Sequence, residues 1–222
     1  MIKNLFNVLK KDPYALTGVL IYLFFIIIAI FADLIAPNDP LRILFNSSGL
    51  ARNIDPGREF LLGTTSNGRD IFSQLVHGSR NALYVGLTAA LAVAILGTIV
   101  GLISGYFGGW VDNLIMRLAD IALGIPFLPF VIVLAAFLGP SSWNVVIAIS
   151  ILLWPNSGRV IRSQVLSLRE RAYIESAKVS GCSNLRIIFV HIGPNILPLS
   201  FLYGSIAIGW AILTEASISF LG

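Results

Sequence analysis

The chain has 222 residues, of which 56% are hydrophobic and 12% are charged, and its mean hydropathy is +0.86. A water-soluble domain of this length could not bury so many apolar residues in one core. The composition therefore excludes a water-soluble domain and predicts a membrane protein. The net charge of +4 does not indicate nucleic-acid binding, because the basic residues are spread over the polar loops instead of lying on one face. Cys182 is the only cysteine, which excludes a disulfide within the chain.

Five apolar segments are long enough to cross a bilayer as helices. The hydrocarbon core is about 30 Å thick, and about 20 helical residues cross it. The segments are continuously apolar and lack the alternation of membrane β-barrel strands, so the predicted fold is an all-α, polytopic helical bundle. The predicted spans are Ala15 to Ala36, Ala82 to Ile103, Ile121 to Leu138, Trp143 to about Gly158, and about Ile192 to Leu213.

The first apolar segment follows Lys3, Lys10 and Lys11, an order that a secretory signal peptide also shows. The segment is longer than the apolar part of such a peptide and ends without a small-residue cleavage site, which favours a retained anchor in the lipid bilayer. The loop that follows is rich in turn-forming residues. Near its end, Ile71, Leu75 and Val76 recur at helical spacing and predict an amphipathic helix along the membrane surface before the second span.

The second span contains glycines, and the third contains prolines, that affect how their helices pack and bend. Gly97, Gly101 and Gly105 recur every fourth residue, which predicts a shallow groove against which another helix packs closely. Pro126 and Pro129 remove backbone donors from the third span and predict a bend. Irregular backbone in a membrane either packs against protein or lines a wet cavity, and a structural kink is the favoured alternative. The sequence does not assign the substrate pathway.

Charged residues near the spans indicate how the chain is oriented in the membrane and whether it could couple transport to protons. With the N-terminus inside, ten of the 15 Lys and Arg residues lie in inner segments, which predicts a cytoplasmic N-terminus and a cytoplasmic loop from Arg159 to Arg186. Asp33 and Glu215 lie within or at the edge of predicted spans near their outer ends, and no acidic residue lies in the middle of a span, which argues against a proton-coupled transporter. Arg117 and Asp120 are spaced to pair on one helix face.

The cytoplasmic loop contains signals for two short helices. Glu175 suits the positive N-terminal end of the first helix, and Gly181 suits the left-handed conformation that ends it. Ser183 is a predicted N-cap of the second helix, and Pro194 begins the return into the bilayer. A plain connection between helices needs about two to eight residues. This loop is much longer, which predicts a docking element for a cytoplasmic partner.

The loop resembles a known motif. Glu175, Ser176, Ala177, Gly181 and Pro194 have the spacing of the EAA loop of ABC importer permeases, whose pattern is Glu-Ala-Ala-x-x-x-Gly-(x)9-Ile-x-Leu-Pro. Ser176 replaces an alanine, and His191 and Gly193 replace the isoleucine and the leucine. With the segment from Leu61 to Leu83, the segment from His191 to Asn195 and the terminal Ser-Ile-Ser-Phe-Leu-Gly, the chain is similar to the C-type permease subunit of dipeptide, oligopeptide and nickel ABC importers.

That resemblance implies a function, partners and a location. The chain would form half of the translocation pathway for peptides or nickel in a bacterial or archaeal inner membrane, beside a second permease subunit. Two cytoplasmic ABC ATPases would bind the EAA loop, residues about 159–191, and an extracytoplasmic binding protein would deliver the substrate. The domains would be 1–81, with the first span and external loop, and 82–222, the permease core. Members of that family usually have six spans, so the chain is expected to be truncated before a sixth helix, and a natural five-span protein is the alternative.

A different class of function rests on Ser157 and His191, which could serve an intramembrane serine hydrolase. A serine nucleophile needs its base within hydrogen-bond reach, but the two residues lie 34 positions apart at predicted span ends, and His191 coincides with the permease motif. The chain also lacks a G-x-x-x-x-G-K-[ST] motif, so a partner must supply the ATP site. The favoured prediction is therefore a non-catalytic subunit that has no cofactor and no metal.

Overall fold

The computed structural model describes residues 12–46, 49–139 and 141–221. Lys3, Lys10, Lys11 and Gly222, used above, lie outside these ranges. Two short strands, β1 (Phe45–Asn46) and β2 (Gly49–Leu50), form an antiparallel pair. The helices of the described residues are α1 (Pro13–Ile30), α2 (Ala32–Ile35), α3 (Ile71–Phe107), α4 (Gly109–Gly124), α5 (Phe127–Leu138), α6 (Ser142–Arg169), α7 (Ala172–Val179), α8 (Asn184–Arg186) and α9 (Gly193–Leu221), with a π-helical segment (Ile187–Ile192) between α8 and α9. The predicted helical fold class is confirmed.

Within the described residues, four helices are long and apolar enough to cross a membrane. They are α1, α3, α6 and the helix that runs from Asn184 to Phe220 through the π segment. Helices α4 and α5 together make a fifth candidate, but they are bent by 92° at the break between them. The predicted third span, Ile121 to Leu138, is therefore not a single helix; the bent pair is either a broken span or a re-entrant loop.

The break between α4 and α5 has a local cause. Proline sterically disfavours the helical conformation in the residue that precedes it. Ile125 precedes Pro126 and is extended, with φ −80° and ψ 133°. Helix α5 then begins at Phe127, and the Phe130 N–H donates to the Pro126 carbonyl at 3.1 Å. Pro126 thus ends one helix and starts another, which is a sharper change than the predicted bend.

The chain divides into two compact units, Met1–Leu83 and Tyr84–Gly222, and the division falls inside α3. A functional boundary at residues 81 and 82 stays a prediction.

In the first unit, α1 begins after Asp12, whose Oδ1 accepts hydrogen bonds from the backbone N–H groups of Tyr14 at 3.0 Å and Ala15 at 3.2 Å. Pro13 occupies the first helical position, where its missing N–H removes no helix hydrogen bond.

Buried polar groups organise the loop of the first unit. The Thr64 hydroxyl donates to the Ala51 carbonyl at 2.6 Å and accepts from the Ile54 N–H at 2.9 Å. The buried Asp70 precedes α3, and its Oδ2 accepts from the Ser73 N–H at 3.3 Å, as an N-cap does. These bonds pair the Thr64 hydroxyl and one carboxylate oxygen of Asp70, whereas the buried Asp70 Oδ1 has no hydrogen-bond partner among the described residues.

The segment predicted as a separate amphipathic helix is the start of α3. Helix α3 runs for 37 residues from Ile71 to Phe107 without interruption. No proline occurs in this range, and a single glycine such as Gly78 costs a helix only about 1 kcal/mol and does not by itself end it. The expected surface helix and the second span are therefore one element.

Helix α6 is central to the second unit. In its second half the buried residues Gly158, Ile161, Val165 and Leu168 recur every three or four positions and share one side. In its first half, residues 148–150 are buried in succession, so that part is covered on more than one side. Two of the hydrophobic clusters form around it. One joins α6 to residues of α3, α5 and α9: Val85, Ala89, Val131, Val146, Ala148, Ile149, Leu152 and Ala211. The other lies at the opposite end of α6 and includes α7.

Candidate functional site

Helix α7 has two different faces. Ile174 and Ala177 are buried, whereas Glu175, Ser176 and Val179 are exposed. Ala177 is only 8% exposed, while Val179 is 90% exposed. Ala177 therefore packs against its own chain and presents almost no surface to a partner. Within this chain the small side chain of Ala177 lets α7 lie close to the core, and its role in coupling to an ATPase stays a prediction.

A single hydrophobic cluster attaches α7 to the membrane helices. Its members come from α3, α6, α7, the π segment and α9, and they are Leu102, Ile161, Val165, Leu168, Ile174, Ala177, Ile187, Ile188, Ile192 and Ile196. Polar contacts also join α3 to α8 and α6 to α3 beside α7. The Tyr106 hydroxyl donates to Asn184 Oδ1 at 2.9 Å, and Arg169 Nη1 donates to the Gly105 carbonyl at 3.1 Å. Protein interiors are densely packed and deform little, so a displacement of α7 would move the ends of these helices with it.

Helix α7 ends in a glycine turn. Gly181 has φ +76°, and its N–H donates to the Lys178 carbonyl at 3.0 Å. The Cys182 N–H donates to the Ala177 carbonyl, also at 3.0 Å. These two bonds form a Schellman motif, in which a glycine adopts the left-handed conformation at little cost. The predicted conformation of Gly181 is confirmed.

The return helix begins as predicted at Ser183, whose Oγ accepts a hydrogen bond from the Arg186 N–H at 3.4 Å. The π segment follows, and the Gly193 N–H donates to the Ile188 carbonyl, five residues back. Pro194 is the second residue of α9 and is exposed. Because proline cannot donate, it interrupts the α-helical hydrogen-bond ladder, and the wider π turn precedes this interruption. Helix α8, the π segment and α9 form one continuous helical path.

Gly97, Gly101 and Gly105 of α3 lie against α6. A Cβ added at Gly97 would lie 2.0 Å from Ser157 Oγ, one at Gly101 would lie 2.8 Å from the Gly158 carbonyl oxygen, and one at Gly105 would lie 2.9 Å from the Arg162 carbonyl oxygen. Real Cβ atoms do not approach other atoms so closely. The backbones of α3 and α6 are therefore near enough for only glycine to fit at these positions.

Two ion pairs join α4 to α6. Arg162 donates from Nε and Nη2 to both carboxylate oxygens of Asp112, which is 7% exposed. Arg159 pairs with Asp120, and both of these side chains are about half exposed. The suggested pairing of Arg117 with Asp120 is wrong, because Asp120 pairs across to α6. The bidentate Asp112–Arg162 pair was not predicted from the spacing of residues in the sequence.

The residues of the hydrolase alternative do not form a catalytic pair. The buried Ser157 hydroxyl donates to the Trp154 carbonyl at 3.0 Å, and His191 Nε2 has no hydrogen-bond partner among the described residues. A serine nucleophile needs a hydrogen bond to its base. In the part of the chain that the structure describes, no group of three or more His, Cys, Asp or Glu side chains is placed to hold a metal.

Two family profiles match the chain. Residues 97–222 match the binding-protein-dependent transport system inner membrane component. Residues 2–56 match the N-terminal TM domain of oligopeptide transport permease C. The first match contains α4 to α9 and therefore all of the features around α7.

Several relatives are similar over almost the whole chain. The dipeptide transport system permease protein DppC of Alkalihalophilus pseudofirmus is 43% identical over 220 residues, which are 99% of this chain and 71% of the relative. The probable D,D-dipeptide transport system permease protein DdpC of Escherichia coli is 36% identical over 96% of this chain and 70% of its own length. The glutathione transport system permease protein GsiD of Escherichia coli is 37% identical over 96% of this chain and 69% of its own length.

The chain thus spans about 70% of the length of these relatives. The family profile covers more than half of the chain, and the similarity to transport permeases extends over nearly all of it. The resemblance seen in the EAA-like loop is confirmed. The chain belongs to the family of inner membrane components of binding-protein-dependent transport systems, and it is a permease subunit of an ABC importer and not an enzyme.

Proposed function

We propose that this permease imports small peptides and that α7 is its coupling helix, the element that a cytoplasmic ATPase binds. The observation that carries the coupling role is the two-faced packing of α7. Its inner face belongs to a cluster that includes α3, α6 and α9, and its outer face is free among the described residues. A helix of this kind transmits force from a partner to the membrane helices.

The outer face is suited to close contact with a partner. Ser176 and Ser180 donate their hydroxyls to carbonyls of their own helical turn, to Ala172 at 2.9 Å and to Ser176 at 2.8 Å. The serines therefore add little bulk and leave no buried donor unpaired when a partner covers them. Val179, 90% exposed, provides an apolar contact, and Glu175 provides a charged one.

The five motif residues take different roles in this proposal. Glu175 and Ser176 contact the ATPase, and Ala177 fixes the distance of α7 from the core. Gly181 makes the turn that ends α7, and Pro194 marks the start of α9. ATP-driven closure of two ATPases would favour one arrangement of the permease pair over another, because the closed ATPase dimer binds one arrangement more tightly.

The proposed assembly has a second permease subunit, two cytoplasmic ATPases and an external binding protein. The family description includes dependence on a binding protein, and relatives are named for dipeptide and glutathione transport. Those names favour a peptide cargo over nickel, which the sequence alone left open. The chain would lie in the inner membrane with its N-terminus and α7 in the cytoplasm.

Substitution of Gly181 tests the coupling role. A Cβ at Gly181 would meet no atom within 4 Å, so any effect comes from the backbone conformation alone. Valine in the left-handed region is strained by about 1–2 kcal/mol or more, whereas asparagine tolerates this region. We expect Gly181→Val to lose most ATPase co-purification and peptide uptake while membrane insertion is retained. We expect Gly181→Asn to keep most of both, and equal behaviour of the two variants would contradict the role.

Labelling from one side tests the orientation. In a Cys182→Ala background, Val179→Cys places one exposed thiol on α7. We expect a membrane-impermeant thiol reagent to label this thiol in inside-out vesicles. We expect no labelling in right-side-out cells whose outer membrane or cell wall has been removed. Labelling only from outside would place α7 on the wrong side of the membrane for an ATPase.

A further inference from the structure

The second unit contains a cavity of about 390 Å³ beside the break between α4 and α5. Five helices and the break contribute to its wall, and the residues that matter here are Ile125, Phe127, Asn156, Ser157 and Tyr203. A cavity of this size falls in the range that binds small molecules. Its wall is mostly apolar, with a few polar groups, as in sites that orient a small ligand.

Asn156 distinguishes this cavity. It lies at the middle of the 28-residue α6, 14 residues from Ser142, and its side chain is exposed. Its amide makes no hydrogen bond to any described residue, and the same is true of the Tyr203 hydroxyl. The amide and the hydroxyl line the cavity without partners among the described residues, so both can hydrogen-bond water or a polar ligand that enters it.

Another cavity of the second unit, of about 530 Å³, provides a comparison. It lies between α3 and α9, and its hydroxyl groups are satisfied within the chain. Thr98 donates to Ser200 Oγ at 2.7 Å, and Ser205 donates to the Phe201 carbonyl at 2.9 Å. This second cavity therefore offers only apolar surface, which lipid or another helix could cover. Unpaired polar groups occur only at the first of the two.

We propose that the cavity at the α4–α5 break is a cargo-contact site of the translocation pathway, in which Asn156 and Tyr203 hydrogen-bond the peptide groups of the cargo. A peptide group has one donor and one acceptor, and an amide side chain can satisfy both. The apolar wall accommodates side chains of varied shape. This inference rests on the proposed function as a peptide importer.

Site-directed labelling in the assembled transporter tests the proposal. In a Cys182→Ala background, Asn156→Cys should react with a charged, membrane-impermeant thiol reagent, because the site is wet. The same complex is first assayed for ATP-driven uptake of dialanine and of glutathione. Whichever peptide it takes up is then presented on the binding protein, and we expect it to slow the labelling at least 3-fold.

The control position is Val133, an apolar residue of α5 that is 66% exposed. Val133→Cys should stay unlabelled, which shows that the reagent does not reach apolar surface in general. Tyr203→Cys provides a second position if Asn156→Cys assembles poorly, and the same labelling and protection are expected there. A transporter that takes up peptide yet shows no labelling, or shows labelling without protection, would overturn the cargo site but leave the importer function intact. If the Cys182→Ala parent takes up neither dialanine nor glutathione, that result would count against the proposed function itself.

Discussion

Replacing Gly101 with leucine is expected to prevent normal packing of α3 against α6. A Cβ at this position would lie 2.6 Å from Ile161 Cγ2 and 2.8 Å from the Gly158 carbonyl oxygen. One of these neighbours is backbone and the other is a fully buried side chain, so neither can move aside easily. Overpacking costs about 1–3 kcal/mol or more. We expect a lower midpoint of thermal unfolding and a smaller yield of monodisperse, detergent-solubilised transporter.

Gly78 offers a matched control in the same helix. A Cβ there would meet no atom within 4 Å, and the residue is exposed. Leucine is a better helix former than glycine by nearly 1 kcal/mol, so Gly78→Leu should leave the unfolding midpoint unchanged or raise it. If Gly101→Leu and Gly78→Leu behave alike, the close approach of α3 and α6 does not contribute to stability as described.

Replacing Asp112 with alanine is expected to destabilise the second unit through its partner. Arg162 would keep its charge in a partly buried position, with neither carboxylate oxygen to accept from it. Removing one partner of a buried ion pair costs about 3–5 kcal/mol, and the lower end applies because the Arg162 side chain is 31% exposed. The measurement is again the midpoint of thermal unfolding of the solubilised complex.

Two further variants separate this effect from a general loss of charge. The double variant Asp112→Leu with Arg162→Met removes the unpaired charge, so it should recover most of the stability that Asp112→Ala loses. Asp120→Ala breaks the exposed pair with Arg159 and should cost less than about 1 kcal/mol. A double variant no more stable than Asp112→Ala would show that the charge is not the cause.

The features that the sequence predicted well have local causes. Gly181 and Ser183 determine backbone conformation within a few residues, so the turn and the cap could be derived from residue types alone. The effect of Pro126 was predicted in kind but underestimated in size. The steric restriction on Ile125 was enough to end α4, and a 92° change of direction followed.

The features that were missed depend on distant partners. Asp112 and Arg162 lie 50 positions apart, and no short pattern relates them. The inward orientation of Ala177 follows from the isoleucines of the π segment, which approach it only in the folded chain. Asn156 is an ordinary polar residue in the sequence, and its lack of a partner becomes apparent only when the surrounding helices are in place.

The wide turn from Ile187 to Ile192 determines the rotational phase of the last helix. In an α-helix each residue turns the chain by about 100°, and a hydrogen bond that spans five residues instead of four accommodates one additional residue. Without this surplus residue, Ser200 and Ala207 would be rotated by about a quarter-turn away from the neighbours that now bury them. The wide turn therefore keeps the angular registration between α7 and α9.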